Sequence, residues 1–186
     1  MKVRRQQEGQ PAVVFEEVEP FFVELLRRLP DDANPGDHPA ARDRLFSDPT
    51  GPAEDGDDFN SDWREFVQPE LRDLFRSARE IVAEDLGALP RGGFEIKRDS
   101  TQTIQFDPVA FAPGESGFTI PDRHSEAWLS VLNQARLVLA ARRGFGEAAM
   151  DEELPFPPFS ERDFDLFKVH FYDFVQQVLL REMGFD

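Results

Sequence analysis

The chain has 186 residues, no cysteine, and 37 Asp and Glu against 21 Lys and Arg, a formal net charge of −16 at pH 7. Without a thiol there is no disulfide, no thiolate zinc site and no thiol redox chemistry, and so negative a chain is poorly suited to following a phosphate backbone. Hydrophobic residues at 40% and 19 Phe supply too much apolar area for a disordered acidic chain, so one folded domain spanning 1–186 is expected.

The N-terminal segment 1–16 reads as a β-hairpin: Val3 to Gln6 and Ala12 to Phe15 flank Glu8-Gly9-Gln10, a turn composition. Pro20 suits a first helical position, and Phe21, Phe22, Leu25, Leu26 and Leu29 recur at helical spacing until Pro30, the expected stop. Residues 30–58 are rich in Pro, Asp and Gly and end in Glu54-Asp55-Gly56-Asp57-Asp58. A short helical turn around Ala40 to Leu45 is expected, then a mobile acidic loop over 48–58.

The next helix should start at Asp58-Phe59-Asn60-Ser61 with Trp63, Phe66 and Val67 as its apolar face. Pro69 should break or restart it, and Leu71, Leu74, Phe75, Ala78, Ile81, Val82 and Leu86 carry it on. From Gly92 the period shortens to two, at Phe94/Ile96, Ile104/Phe106 and Phe118/Ile120, which predicts a small β insertion over 94–120. Asp122 and Ser125 are candidate caps for a helix striped by Trp128, Val131, Leu132, Ala135 and Leu139, ended by Gly144. This rod should be the hub of the fold. The last helix opens with Ser160 and Asp163, a relative of the capping box, and carries Phe164, Phe167, Phe171, Phe174, Val175 and Val178 to Gly184. The predicted architecture is mainly α, a bundle of four to five principal helices with an N-terminal β-hairpin and a small β insertion.

No template for catalysis or cofactor binding fits. Gly144-Phe145-Gly146 follows a helix and lacks the third glycine of a dinucleotide loop, no phosphate-loop ending exists, and Gly114-Glu115-Ser116-Gly117 is one residue short of a nucleophile elbow. His38, His124 and His170 have no second histidine at i+3 or i+4 to share a metal, and the 54–58 run lacks calcium-loop spacing. No catalytic, cofactor-binding or metal residue is therefore assigned. Asn133 and Arg136 interrupt the most apolar helix. A guanidinium there needs a partner, either an acid near Trp63-Arg64-Glu65 or an anionic ligand in a groove. Asn60, Trp63, Arg64, His124, Trp128, Asn133 and Arg136 are the candidate groove or interaction residues, with His124 and Glu126 as an alternative capping pair.

Two segments, 58–67 (Asp-Phe-Asn-Ser-Asp-Trp-Arg-Glu-Phe-Val) and 128–137 (Trp-Leu-Ser-Val-Leu-Asn-Gln-Ala-Arg-Leu), with Arg44-Leu45-Phe46, make most of the chain resemble a bacterial domain-of-unknown-function family. Its actinobacterial members are described as oxidation-sensing transcriptional regulators, and members of the family often lie beside the adaptor of the Clp protease. The resemblance implies a fold and a regulatory setting. It does not bring the cysteine pair attributed to those relatives, because this chain has no cysteine.

The expected function is thus that of a non-enzymatic regulatory or protein-interaction domain. The alternative is a DNA-associated transcriptional regulator using Arg4, Arg5, Arg27, Arg28, Arg142 and Arg143 as a local patch, and a carboxylate- or metal-dependent hydrolase comes third. The expected partner is a protein, a second copy of the chain included, and nucleic acid is disfavoured by charge. The apolar stretch 127–141 is broken by polar residues and the basic N-terminus has no apolar run behind it, so neither a membrane span nor a secretory signal is predicted and a cytoplasmic location is expected.

Overall fold

Strands β1 (Lys2–Gln6) and β2 (Ala12–Glu16) pair antiparallel from Lys2↔Glu16 to Gln6↔Ala12, and Gly9 in the turn sits at φ 83°, where a side chain would be strained. This is a computed structural model, describing residues 1–49, 57–87, 89, 94–98, 104–108, 117–152, 154 and 160–184. Within it the mainly α architecture expected from the sequence is found. Most of the acidic loop, 50–56, and the turns at Ser100 and Pro113-Gly114 lie outside the described residues.

Helix α1 (Pro20–Asp32) buries Val23, Leu25, Leu26 and Leu29. It runs two residues past Pro30, a correction to the expected stop. A proline near a helix C-terminus costs one backbone bond, and here the turn is held by Ala33 N–H donating to the Leu29 carbonyl at 2.9 Å. Helix α2 (Pro39–Phe46) follows, with Ala41 buried.

Helix α3 (Asp57–Asp62) leads without interruption into a π-helical turn (Trp63–Val67) and helix α4 (Gln68–Gly87). Pro69 neither breaks nor restarts the rod. Its ring would clash with the carbonyl four residues back, and it has no N–H to give. The wider turn before it, closed by Gln68 N–H donating to the Trp63 carbonyl, relieves both problems. The expected apolar face here does not enter the core: Phe66, Val67 and Leu74 are 61, 40 and 63% exposed. Burial begins at Ala78, Val82 and Leu86.

Strands β3 (Phe94–Arg98) and β4 (Ile104–Pro108) form a separate two-stranded hairpin. Strand β5 (Phe118–Pro121) does not belong to that insertion. It pairs antiparallel with β2, from Ala12↔Pro121 to Phe15↔Phe118, giving a sheet in the order β1-β2-β5. The Phe15 and Phe118 rings stack at 4.6 Å. At Gly117 any Cβ would come within 2.7 Å of the Phe15 carbonyl oxygen, so glycine is what lets β5 approach.

Helix α5 (Ser125–Arg143) packs against α1, α2, α4 and α7 (Glu161–Met183). Trp128, Val131, Leu132, Ala135, Val138 and Leu139 are buried along it, and each such fully buried large side chain contributes about 1.5–3 kcal/mol. The hub is where the sequence placed it. Its caps are not. Asp122, in a 3-10 turn (Asp122–His124), pairs with Arg5 at 2.5 Å, and neither it nor Ser125 caps the helix. Gly144 ends α5 at φ 65°. After α6 (Glu147–Met150), α7 opens with a complete capping box: Ser160 Oγ accepts from Asp163 N–H, and the Asp163 carboxylate accepts from Ser160 N–H, both at 3.1 Å. Phe164, Phe171, Val175 and Val178 are buried as expected, Phe174 is 51% exposed, and Tyr172 and Lys168 take places inside the core face.

Candidate functional site

A cavity of about 310 Å³ opens between the segment after α1, helix α2 and the first half of α4, lined by Asn34, Pro35, Gly36, Arg42, Phe46, Arg72, Arg76 and Arg79. Half of these residues are arginines and none is acidic, in a chain whose net charge is −16. The concentration has a local cause. Arg72, Arg76 and Arg79 fall at i, i+4 and i+7, so they rise on one side of α4, and Arg42 meets them from α2.

The frame around the pocket is tied by hydrogen bonds. Arg42 Nε donates to the Gly36 carbonyl at 2.6 Å and Arg142 Nη2 to the Asn34 carbonyl at 2.6 Å. Gln68 Nε2 donates to the Phe46 carbonyl at 2.9 Å, while its Oε1 accepts from Arg72 Nη2 at 2.9 Å. The Arg72 guanidinium lies 5.2 Å over the Phe46 ring, a cation–π contact. Arg79 Nη1 donates to Oε1 of Gln134 at 2.9 Å, and that buried amide is fixed in turn by donating to Ser130 Oγ at 3.0 Å.

Compensation is uneven among the four. Arg42 pairs with the fully exposed Asp37, and Arg76 with Asp73 at 2.8 Å. Arg72 and Arg79 are oriented by neutral amides and have no carboxylate partner among the described residues. Burial, followed by the like charge of Arg76, pushes the Arg79 ionisation below that of an ordinary guanidinium, with Glu80 opposing; the group stays charged at neutral pH. What the arrangement can do is hold an anion.

The residues singled out from sequence are distributed elsewhere. Asn60 is buried in α3 and Trp63 half-buried in the π turn. Arg64 Nε donates to Asp48 Oδ1 at 3.0 Å. Asn133 is exposed. Arg136 finds its partners on α7, with Nη2 2.8 Å from Asp173 and Nη1 donating to Gln176 at 2.8 Å; the acid expected near residues 63–65 is not the one it meets. His124 and Trp128 do converge, on a carboxylate that nothing in the sequence marks. Asp85 of α4 accepts from the Trp128 indole N–H at 2.9 Å and lies 3.0 Å from His124 Nδ1, so Glu126 is not its partner. Arg123 Nε donates to His124 Nε2 at 3.2 Å, so both ring nitrogens are engaged. With Nε2 occupied, this pair has no free base to offer. Among the described residues no group of three His, Asp or Glu is placed to hold a metal.

A second polar cluster joins α1, α5 and α7. Lys168, 5% exposed, reaches Asp32 at 2.9 Å and Asp165 at 2.8 Å, and Arg143 reaches Asp165 at 2.6 Å and Glu161 at 3.3 Å. The Tyr172 hydroxyl shares its proton between Asp32 Oδ2 at 2.8 Å and the Leu25 carbonyl at 3.0 Å. Burial first, and then the Asp32 charge, push its ionisation well up. The arginines proposed for a DNA-facing patch all meet acceptors: Arg4 on Glu16, Arg5 on Asp122, Arg27 on the Leu89 carbonyl, Arg28 on Glu24, Arg142 on Asn34 and Arg143 on Asp165.

The family model for a domain of unknown function, DUF2017, matches residues 3–183. The chain belongs to that family. No curated protein and no solved structure matches it. No helix among the described residues is long and apolar enough to cross a membrane.

Proposed function

We propose that this chain is a non-enzymatic regulatory or protein-interaction domain that works by holding an anionic group of a partner protein in the arginine pocket. One observation carries the reading: the cavity is walled by four guanidiniums, a phenyl ring and a Pro-Gly segment, with no nucleophile, acid or base among its eight lining residues. Arginine cannot be deprotonated near neutrality and has only donors to offer, so such a site recognises charge and leaves bonds alone. Phe59, Phe66, Val67 and Leu74, 40–63% exposed along the same rod, add apolar surface of the kind partners cover. The resemblance to oxidation-sensing transcriptional regulators supports a regulatory setting, while the absence of cysteine removes a disulfide as the signal.

The test is a comparison of proteins retained by the wild-type chain and by the double variant Arg72→Ala, Arg76→Ala. A partner held by the first and lost from the second is expected. Undiminished retention by the variant, or a turnover activity lost when a pocket residue is replaced, would overturn the reading.

A further inference from the structure

We infer that the anion this pocket takes is a phosphomonoester, an inference that rests on the pocket being the working site. The argument begins from charge. Arg72 and Arg79 are each pinned by a glutamine amide oxygen, which fixes the fork of donors and supplies no negative charge. Both positive charges stand on one side of α4 with no carboxylate paired to them among the described residues, and a ligand carrying about two negative charges at pH 7 compensates both. A carboxylate carries one. The other two arginines are paired with exposed acids, Asp37 and Asp73, partners that exchange readily with a competing anion because exposed pairs are worth about 0–1 kcal/mol.

Direction gives the second argument. Donors come from α4 on one side and from Arg42 of α2 on another. A planar carboxylate is satisfied by a single bidentate fork, whereas the three terminal oxygens of a phosphate accept from several. Size gives the third. A cavity of about 310 Å³ is at the small end of ligand pockets, which run to about 1,000 Å³. It holds the phosphate and the first atoms of what bears it, with Phe46 as the apolar wall. Gln68 and Gln134 act as positioning residues, the latter anchored in the core by Ser130.

The probes are three: methyl phosphate, the capped tripeptide glycyl-phosphoseryl-glycine, and the same tripeptide with glutamate in place of phosphoserine, each titrated calorimetrically into the full chain. Either phosphate probe should bind at least about tenfold more tightly than the glutamate peptide, as expected of about two charges and three acceptor oxygens against one charge and two oxygens. Its affinity should fall as pH drops through about 6, where the second phosphate proton is regained. Tighter binding of the phosphopeptide than of methyl phosphate identifies a protein side chain as the source, and equal binding identifies a small metabolite. Arg72→Ala should weaken both by at least about tenfold, with Arg76→Ala as a second variant that likewise leaves the core untouched. Equal affinity for the phosphate and glutamate probes would overturn the phosphate assignment and leave the anion-holding reading intact. Absence of binding by all three, with partner retention indifferent to the arginine variants, would overturn both.

Discussion

Two clusters of charge are built from the same residue types and balanced in opposite ways. Where α1, α5 and α7 meet, Lys168 and Arg143 are matched by Asp32, Asp165 and Glu161. In the pocket of α2 and α4, Arg72 and Arg79 are paired with amide oxygens and, among the described residues, with no carboxylate. A buried cation is tolerable when carboxylates close the circuit around it. The first cluster is closed on itself and belongs to the fold. The second has capacity left over, and that surplus is what separates a site from a structural ion pair.

Removing a member of the closed cluster should therefore cost the most. Lys168→Met leaves Asp32 without its cation and Asp165 with Arg143 alone, and should lower stability by about 3–5 kcal/mol in urea denaturation; a loss under about 1 kcal/mol would break the contrast. Asp85→Ala should come next. It strands the Trp128 indole N–H and the His124 imidazole, for about 1–3 kcal/mol by the same measurement.

Tyr172 offers a test of the closed cluster by pH. Its folded-state ionisation is raised above the ordinary value of 10.0, so above that pH the unfolded chain sheds a proton that the folded chain keeps. Stability should be intact below pH 10 and fall as pH rises beyond it, and Tyr172→Phe should remove that part of the alkaline loss. Since the chain has one tyrosine, tyrosinate absorbance should appear only with unfolding. Ionisation of the folded chain at its ordinary value would mean the cluster is open to water.

The smallest effect belongs to the pocket. Arg72→Ala should change stability by no more than about 0.5 kcal/mol, the range of surface substitutions, while weakening anion binding by at least about tenfold. A large destabilisation would move Arg72 into the structural class.

The parts of this molecule legible in the sequence are those whose signal is local. The hairpin, the apolar stripe of α5 and the Ser160–Asp163 capping box each depend on residues within a few positions. The pairing of β2 with β5 joins residues more than a hundred positions apart and leaves no periodic trace, so Phe118 and Ile120 read as part of the neighbouring insertion. The site was obscured for a related reason. Adjacent arginines, 27–28 and 142–143, stand out in the sequence, yet neighbours on a helix diverge by about 100°. Arg72, Arg76 and Arg79 look scattered in the chain and converge in space, and Arg42 joins them only through tertiary packing. Asp85 was one carboxylate among 37 Asp and Glu. Nothing near it announces that an indole and an imidazole will come to it from residues 124 and 128.

The turn ahead of Pro69 fixes more than its own five residues. A π turn carries one residue beyond what an α-helical turn would hold, so everything N-terminal to it is dialled round by about 100° relative to α4. That offset seats Asn60 in the interior, 6% exposed, and leaves Phe59 facing out at 56%. Deleting a single residue between 63 and 67 would return the rod to even pitch and swing α3 through the same angle, lifting the asparagine from its seat. The length of this short stretch, more than the identity of its side chains, sets which way the start of the rod looks.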